Sequence, residues 1–167
     1  MDTLKRNFIE NPVITGNFKP KFYWTGNAFQ DAERINRPHI KAEGENENRI
    51  KETTDIITEL SGVTEITLED AFNIQNRLLK SNNWKGIRAG FRTHNVEIKK
   101  GDGTMEITPQ FVQLRKLTEQ MFPVRSMPKE ELLEWYRQIQ MIHPLSDLNG
   151  RVFGIIVAIL NQQNFNK

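Results

Sequence analysis

Residues 143–160 read HPLSDLNGRVFGIIVAIL, and the second half of this stretch governs the architecture of the chain. Residues 152–160 carry no polar side chain. A helix on a protein surface is apolar along one side, whereas a helix that is apolar all round is covered on every side. We therefore predict a central, fully buried helix over 152–160, preceded by a short polar loop.

The length and composition of the chain limit the class of protein to which it belongs. Its 167 residues suffice for one domain with a hydrophobic core. The absence of cysteine excludes disulfides, cysteine–zinc sites and thiol catalysis, and a total of three histidines argues against a multi-histidine metal site. A net charge of +2 argues against a nucleic-acid partner that is bound by bulk electrostatics.

The sequence indicates neither a membrane span nor a secretion signal. The apolar stretch 152–160 has nine residues, and about 20 are needed to cross a bilayer. The segment MDTLKRNFIENPVITG, residues 1–16, contains no apolar run of signal-peptide length. We therefore expect a cytoplasmic protein without a membrane partner, and delivery into a host cell stays open.

The chain is predicted to consist of an irregular N-terminal arm, residues 1–27, and one helical domain, residues 28–167. In the arm, aromatic residues stand among prolines and glycines without a helical or strand period. Disordered segments are poor in aromatic residues, so we expect the arm to lie on the core. Cover for the buried helix is expected from this arm or from the second subunit of a homodimer.

The spacing of apolar residues predicts four more helices before the buried one. Thr67 is expected to cap the second of them and Thr108 the third, where Pro109 takes the first helical position. Residues 161–167 are expected to form a polar tail. The four predicted helices span residues 42–60, 68–80, 109–121 and 126–142.

A change of period indicates one β-hairpin. Residues 94–98 and 104–107 alternate polar and apolar side chains, and KKGDG at 99–103 has the composition of a turn. The predicted fold class is therefore mainly α with one small hairpin. His39, in a charged stretch, is expected at the surface, and His94 is expected in a turn or at a strand edge.

The loop from His143 to Arg151 carries the candidate chemistry. The first N–H groups of a helix lack intrahelical acceptors and lie at the positive end of its dipole, so Asn149 and Gly150 introduce an anion site. Arg151 is suited to clamp phosphate oxygens, Asp147 to hold a Mg²⁺ ion that bridges them, and His143 to act as a general base. This pattern predicts phosphoryl or nucleotidyl transfer. The alternative is an ordinary interhelical loop, in which Asp147 or Asn149 caps the next helix and Arg151 is solvated.

The same loop resembles the motif of Fic domains, H-P-F-x-[D/E]-G-N-G-R-x-x-R. Three specified positions differ, because Leu145 replaces Phe, Leu148 replaces Gly, and Gly154 replaces the second Arg. Residues 90–93, with Val96 and Ile98, are similar to the segment that leads into the hairpin flap of the family. The predicted helix after Thr108 and the one that ends at His143 are also placed as in Fic domains, so the resemblance covers about residues 68–160 in order. The matching residues are His143, Pro144, Asp147, Asn149, Gly150 and Arg151.

The resemblance implies a Fic-like helical bundle and an enzyme that modifies proteins. Fic domains typically move AMP from Mg·ATP to a Ser, Thr or Tyr hydroxyl of a target protein, often including themselves, and relatives use other nucleotides. By this resemblance His143 deprotonates the target hydroxyl, and Asp147 binds the metal. The phosphates are bound by Asn149, Gly150 and Arg151, and the target strand docks on the flap residues Val96, Glu97 and Ile98.

The departures from the motif support an alternative from a different class. A side chain at Leu148 restricts a loop that must curl around phosphate. In the family, the arginine that Gly154 replaces meets the γ-phosphate region or an inhibitory glutamate, so ordinary ATP placement is expected to differ. The alternative is a catalytically degenerate Fic-like domain that binds a nucleotide, an anion or a peptide without turnover.

Overall fold

The computed structural model describes residues 7–37, 43–81, 87–99 and 103–165. Within these ranges the protein is mainly helical, with two small antiparallel two-stranded sheets, and the predicted fold class is confirmed. The helices are α1 (Ala28–Asn36), α2 (Glu43–Glu59), α3 (Leu68–Ser81), α4 (Leu114–Glu119), α5 (Lys129–Ile142) and α6 (Asn149–Asn161). The strands are β1 (Glu65–Ile66), β2 (Glu97–Lys99), β3 (Met105–Ile107) and β4 (Val124–Arg125), and short 3-10 helices span Phe111–Gln113 and Gln162–Phe165.

Helix α6 is the centre of the core, as its composition predicts. Every residue of α6 except Gly150 is buried, and α1, α2, α3 and α5 pack around it. The helix begins at Asn149, three residues earlier than predicted, so that Arg151 lies in its first turn. Among the described residues, no helix has the length and apolar composition that crossing a membrane requires.

The predicted helices that become α2, α3 and α5 are present, with ends that differ by up to three residues. Thr67 caps α3 through a reciprocal pair of hydrogen bonds: its hydroxyl accepts from the Asp70 N–H at 3.1 Å, and the Asp70 carboxylate accepts from the Thr67 N–H at 2.9 Å. Helix α5 begins at Lys129 rather than at Ser126, because Pro128 is extended at the N-cap.

At three places the structure differs from the sequence prediction or adds to it. Thr108 does not cap a helix, because tertiary contacts occupy its hydroxyl, and helical structure begins only at Phe111. Helix α1 was not predicted, since only Ala32 and Ile35 supply buried apolar side chains within it. The expected polar tail instead continues α6 by one residue and then forms a 3-10 helix through Phe165.

The predicted hairpin is formed by β2 and β3, paired in the register Glu97↔Ile107, Ile98↔Glu106 and Lys99↔Met105. The first strand is shorter than predicted, because residues 94–96 precede it without pairing in the sheet. Strands β1 and β4 form the second sheet. The central turn residues 100–102 and His39 lie outside the described residues. So do Ala42, the predicted first residue of the helix that becomes α2, and residues 166–167.

The described part of the N-terminal arm, residues 7–27, contains no helix or strand. Phe8 and Trp24 belong to the hydrophobic core. The indole of Trp24 stacks on the ring of Tyr23 with centroids 4.0 Å apart and donates a hydrogen bond to the Gly154 carbonyl at 2.8 Å. The arm thus covers part of α6.

Candidate functional site

His143 stands at the end of α5, where the backbone leaves the helix. Its N–H donates to the Ile139 carbonyl at 2.9 Å, while its own φ of 51° and ψ of 56° are left-handed. Pro144 follows and disfavours helical geometry at the residue before it. The imidazole is therefore carried by a sharp turn between the two most buried helices of the site.

Leu148 makes the second sharp turn, at the start of α6. Its φ is 70°, and among the other described non-glycine residues only His143 has a positive φ. The Leu148 side chain is buried in the core, and its N–H donates to the Asp147 carboxylate at 2.7 Å. Left-handed backbone at a leucine is strained, and such strain persists where surrounding packing enforces it, often at functional sites.

Asn149 fastens the loop between these turns. Its side-chain oxygen accepts from the Leu145 N–H at 2.8 Å, and its side-chain nitrogen donates to the Leu145 carbonyl at 3.0 Å. The carbonyl of Asn149 accepts from Gln140 at 3.3 Å. Because its side chain is engaged with the loop, any role of Asn149 in binding phosphate falls to its main-chain N–H.

A neighbouring segment supports the same loop from outside. Phe91 and Leu145 form an antiparallel bridge, flanked by hydrogen bonds from the Arg92 N–H to the Pro144 carbonyl and from the Ser146 N–H to the Gly90 carbonyl, each 2.9 Å. This pairing places the segment before the hairpin directly beside the loop.

A glutamine that sequence reasoning missed joins these parts. Gln75 of α3 is fully buried and donates to the Ser146 hydroxyl at 2.9 Å and the Asp147 carbonyl at 3.0 Å. Its side-chain oxygen accepts from the Gly90 N–H at 2.8 Å. Position 75 lies on the apolar stripe of α3, whose other buried members are positions 71, 74, 78 and 79, so the helical period could have identified it.

Arg151 lies buried in the first turn of α6, so the alternative in which it is solvated is wrong. Burial, together with the charge of Arg49, lowers the pKa of Arg151 to about 10, and the charge of Asp147 opposes this shift. Arg49, on α2, is also buried and was not predicted as a site residue. The N-terminus of α6 therefore carries concentrated positive charge beside one carboxylate.

The electrostatic surroundings of His143 favour its neutral form. Burial lowers the pKa of the imidazole below its usual value, and the charge of Arg92 acts in the same direction. The main-chain carbonyl of Gln140 and the carboxylate of Asp147 oppose this shift. An imidazole with a lowered pKa is unprotonated at neutral pH, which is the state that a general base requires.

Asp147 is half-buried between the two turns. Within the described ranges, no group of three or more His, Cys, Asp or Glu side chains is arranged to hold a metal ion. A metal at Asp147 would therefore need ligands from a substrate, which is how Mg²⁺ is held beside nucleotide phosphates. His94, the other described histidine, is exposed and contributes its carbonyl to Arg92.

Gly150 and Gly154 differ in the space around them. A Cβ built on Gly150 would meet no atom of another residue within 4 Å, so the backbone there borders open space. A Cβ on Gly154 would lie 3.1 Å from the Tyr23 hydroxyl and 3.2 Å from Cγ1 of Ile35. The position that carries the second arginine in Fic domains is here packed against α1 and the arm.

The hairpin residues predicted to dock a target lie next to a shallow groove. Glu97 is exposed, and Val96 and Ile98 are half-buried. On β3, Met105 is 51% and Ile107 77% exposed. The groove has a volume of about 280 Å³ and is lined by Asn95, Val96, Glu97, Ile107, Thr108 and Gln110.

In comparisons with known proteins, no family model, no curated protein and no solved structure matches the chain.

Proposed function

We propose that this protein is a Fic-type transferase, which moves AMP or another nucleotide-derived phosphate group from a Mg-nucleotide to a Ser, Thr or Tyr hydroxyl of a protein. One observation carries the proposal: a single loop, closed by left-handed turns, joins His143 at the end of α5 to buried Arg151 in the first turn of α6. The motif resemblance of this loop agrees with that geometry.

The nucleotide is the substrate whose phosphates this site would bind. The free N–H groups at a helix start attract anions, and the open space beside Gly150 leaves room for a phosphate to approach the backbone. Arg151 supplies a guanidinium that can hold two phosphate oxygens, and Arg49 adds positive potential. Asp147 would hold Mg²⁺, which when bound neutralises charge on the phosphates.

In the proposed reaction the neutral imidazole of His143 accepts the proton of the target hydroxyl. The hydroxyl oxygen then forms a bond to the α-phosphorus of the nucleotide. The bond between that phosphorus and the oxygen that bridges it to the β-phosphate breaks, and pyrophosphate leaves with the electron pair. Arg151 and the first N–H groups of α6 stabilise the negative charge that develops on the phosphate oxygens.

A second function is favoured by two specific features. Leu148 occupies a strained left-handed turn with a bulky buried side chain, and the Gly154 position faces the arm and α1 rather than a phosphate chain. A domain with these features would bind a nucleotide or another anion at α6 without transferring it. The two functions differ in turnover and share the binding site.

Both are tested by incubating the chain with Mg²⁺ and ATP, GTP, CTP or UTP in turn, and measuring intact mass and binding affinity. Transfer predicts self-modification, seen as a mass increase of one nucleoside monophosphate, that His143→Ala abolishes while nucleotide binding is kept, since a base acts in the transition state. Binding without a mass increase in the wild type would favour the non-catalytic function. Absence of both binding and modification would contradict both.

A further inference from the structure

Arg92 is a buried arginine whose hydrogen bonds radiate in two directions. Only 3% of the residue is exposed, and its guanidinium lies within hydrogen-bond distance of five oxygen atoms. These belong to the carbonyls of His94, Pro109, Ile142 and His143 and to the hydroxyl of Thr108.

One set of these contacts holds the end of α5. The Nε of Arg92 donates to the His143 carbonyl at 2.6 Å, and Nη2 donates to the Ile142 carbonyl at 3.1 Å. The last carbonyls of a helix have no intrahelical donors, and a cation there also interacts favourably with the helix dipole. The Arg92 N–H binds the next residue as well, at the Pro144 carbonyl. Arg92 thus fixes the strained backbone that aims the His143 ring.

The other set of contacts holds both ends of the hairpin. Nη1 donates to the His94 carbonyl at 2.7 Å, just before β2, and Nη2 donates to the Pro109 carbonyl at 2.7 Å, just after β3. Nη2 also reaches the Thr108 hydroxyl at 3.2 Å, and that hydroxyl donates to the Val96 carbonyl. The Arg92 side chain therefore connects the two ends of the hairpin to His143.

The chemistry of these contacts requires arginine rather than any cation. All five acceptors are neutral, so the buried charge is stabilised by hydrogen bonds, and burial lowers the pKa of Arg92. A planar guanidinium presents five N–H donors in a fixed fork. A lysine has a single nitrogen on a flexible chain and cannot reach oxygens on both sides at once.

We propose that Arg92 is a positioning residue, which holds the His143 imidazole in register with the hairpin so that a hydroxyl docked there meets the base. The catalytic part of this inference rests on the proposed function, whereas the positional part concerns the folded protein alone. Arg92 itself touches no reacting atom; it acts through His143.

The positional part is tested by NMR of the histidine rings at one fixed pH, with the His143 peak assigned from a His143→Gln variant. Arg92→Lys, which keeps the charge and removes the fork, is expected to displace the imidazole peak of His143. The matched control is Arg125→Lys, since Arg125 is an exposed arginine that pairs with Glu65 on the other sheet. An unmoved His143 peak in a folded Arg92→Lys protein would overturn the proposal.

A milder variant covers the case in which Arg92→Lys does not fold. Thr108→Val removes one acceptor of Arg92 and the hydrogen bond to Val96 while leaving the arginine in place. It is expected to shift the same peak by a smaller amount. A folded Thr108→Val protein with an unchanged His143 peak would then count against the connection.

The catalytic part is tested by measuring transfer by the full chain to the protein target that it modifies. Arg92→Lys is expected to lower kcat by about 10²-fold, as a small misplacement of a reacting group can, with nucleotide affinity unchanged. Thr108→Val is expected to lower kcat by a smaller factor, and the control Arg125→Lys is expected to leave it unchanged. A folded Arg92→Lys protein with the kcat of the wild type would show that Arg92 does not position the base. If the wild type transfers nothing, the proposed function fails, and the NMR result still decides the positional part.

Discussion

The side-chain nitrogen of Gln75 lies 3.0 Å from the main-chain carbonyl of Asp147 and donates a hydrogen bond to it. The same amide serves Ser146 and Gly90, so one residue of α3 holds two segments of the site together. A buried side chain with both of its functional atoms engaged is a strong determinant of local structure.

Gln75→Leu is therefore expected to destabilise the protein. The substitution keeps the approximate volume and removes the partner of the Asp147 carbonyl and of the Gly90 N–H, while the Ser146 hydroxyl keeps its bond to the Arg88 carbonyl. We expect a cost of roughly 3 kcal/mol in unfolding free energy. Urea denaturation measures this loss. The control is Gln113→Leu at an exposed position, which should change stability little. Equal midpoints for the two variants would contradict the role of Gln75.

The lowered pKa of His143 predicts two pH dependences of the same sign. A general base acts when unprotonated, so the transfer rate should rise with pH through a midpoint below the usual imidazole value of about 6.5 and then stay constant. The unfolded chain binds a proton at His143 at a higher pH than the native chain does. Stability should therefore fall as pH drops below about 6.5 toward the native pKa.

Both dependences can be separated from those of other groups. Urea midpoints between pH 5 and pH 8, compared for the wild type and His143→Gln, isolate the contribution of this residue to stability. The decrease in stability at acidic pH should be smaller in His143→Gln than in the wild type. A wild-type rate profile with its midpoint above the usual imidazole value would contradict the assignment of a buried, neutral base.

Arg151→Lys is expected to weaken nucleotide binding by about tenfold, because the bidentate contact with phosphate is lost while the charge is kept. Asp147→Asn should instead remove the dependence of binding on Mg²⁺. Calorimetry with and without Mg²⁺ measures both effects, and thermal unfolding confirms that each variant is folded. Unchanged affinity in both folded variants would leave the loop a purely structural connection.

The site is predictable from the sequence only where its residues are contiguous. His143, Asp147 and Arg151 lie within nine positions of one another, so their spacing alone suggests a shared chemistry. Arg92 and Gln75 reach the loop from other segments. Gln75 lies on the apolar stripe of α3, so the helical period marks it as buried, but the period does not say which groups it contacts. Their roles arise from tertiary contacts that spacing does not encode.

The fold shows the same limit at the ends of elements. The all-apolar composition of residues 152–160 predicted a buried helix correctly, but its start depends on Leu148, which is not a residue that favours N-caps or left-handed backbone. At Thr108 the local signal was strong and still failed. There the hydroxyl is taken by Val96 and Arg92, contacts that arise only when the hairpin brings the two segments together.

Ile107→Thr should separate target docking from nucleotide binding. Ile107 is 77% exposed on β3 and lines the groove of the hairpin, so its replacement should alter stability by less than about 0.5 kcal/mol. Modification of a protein target should require a higher target concentration, with nucleotide affinity unchanged. Ile9→Thr, at an exposed position of the arm, is the matched control. Equal KM values for the target in both variants would exclude Ile107 from the docking surface.

Gly154→Arg would complete the match to the Fic motif at its last position, but the packing around Gly154 leaves little room for an arginine side chain. A Cβ at position 154 would lie 3.1 Å from the Tyr23 hydroxyl and 3.2 Å from Ile35, and the Gly154 carbonyl accepts the hydrogen bond from Trp24. An arginine there would be forced into the packing between α6, α1 and the arm, with a buried charge. We expect a loss of roughly 3 kcal/mol or more in unfolding free energy and no gain in ATP affinity.

Gly154→Ala tests the same packing with a much smaller side chain. A methyl group needs shifts of only a few tenths of an ångström from Tyr23 and Ile35, and alanine favours the helix over glycine by up to about 1 kcal/mol. Its unfolding free energy should therefore lie near that of the wild type, far above that of Gly154→Arg. Thermal unfolding and calorimetry with ATP on both variants measure the two quantities. A stable Gly154→Arg protein with about tenfold higher ATP affinity would show that the arginine reaches the phosphates. It would also show that packing against the arm does not require glycine at this position.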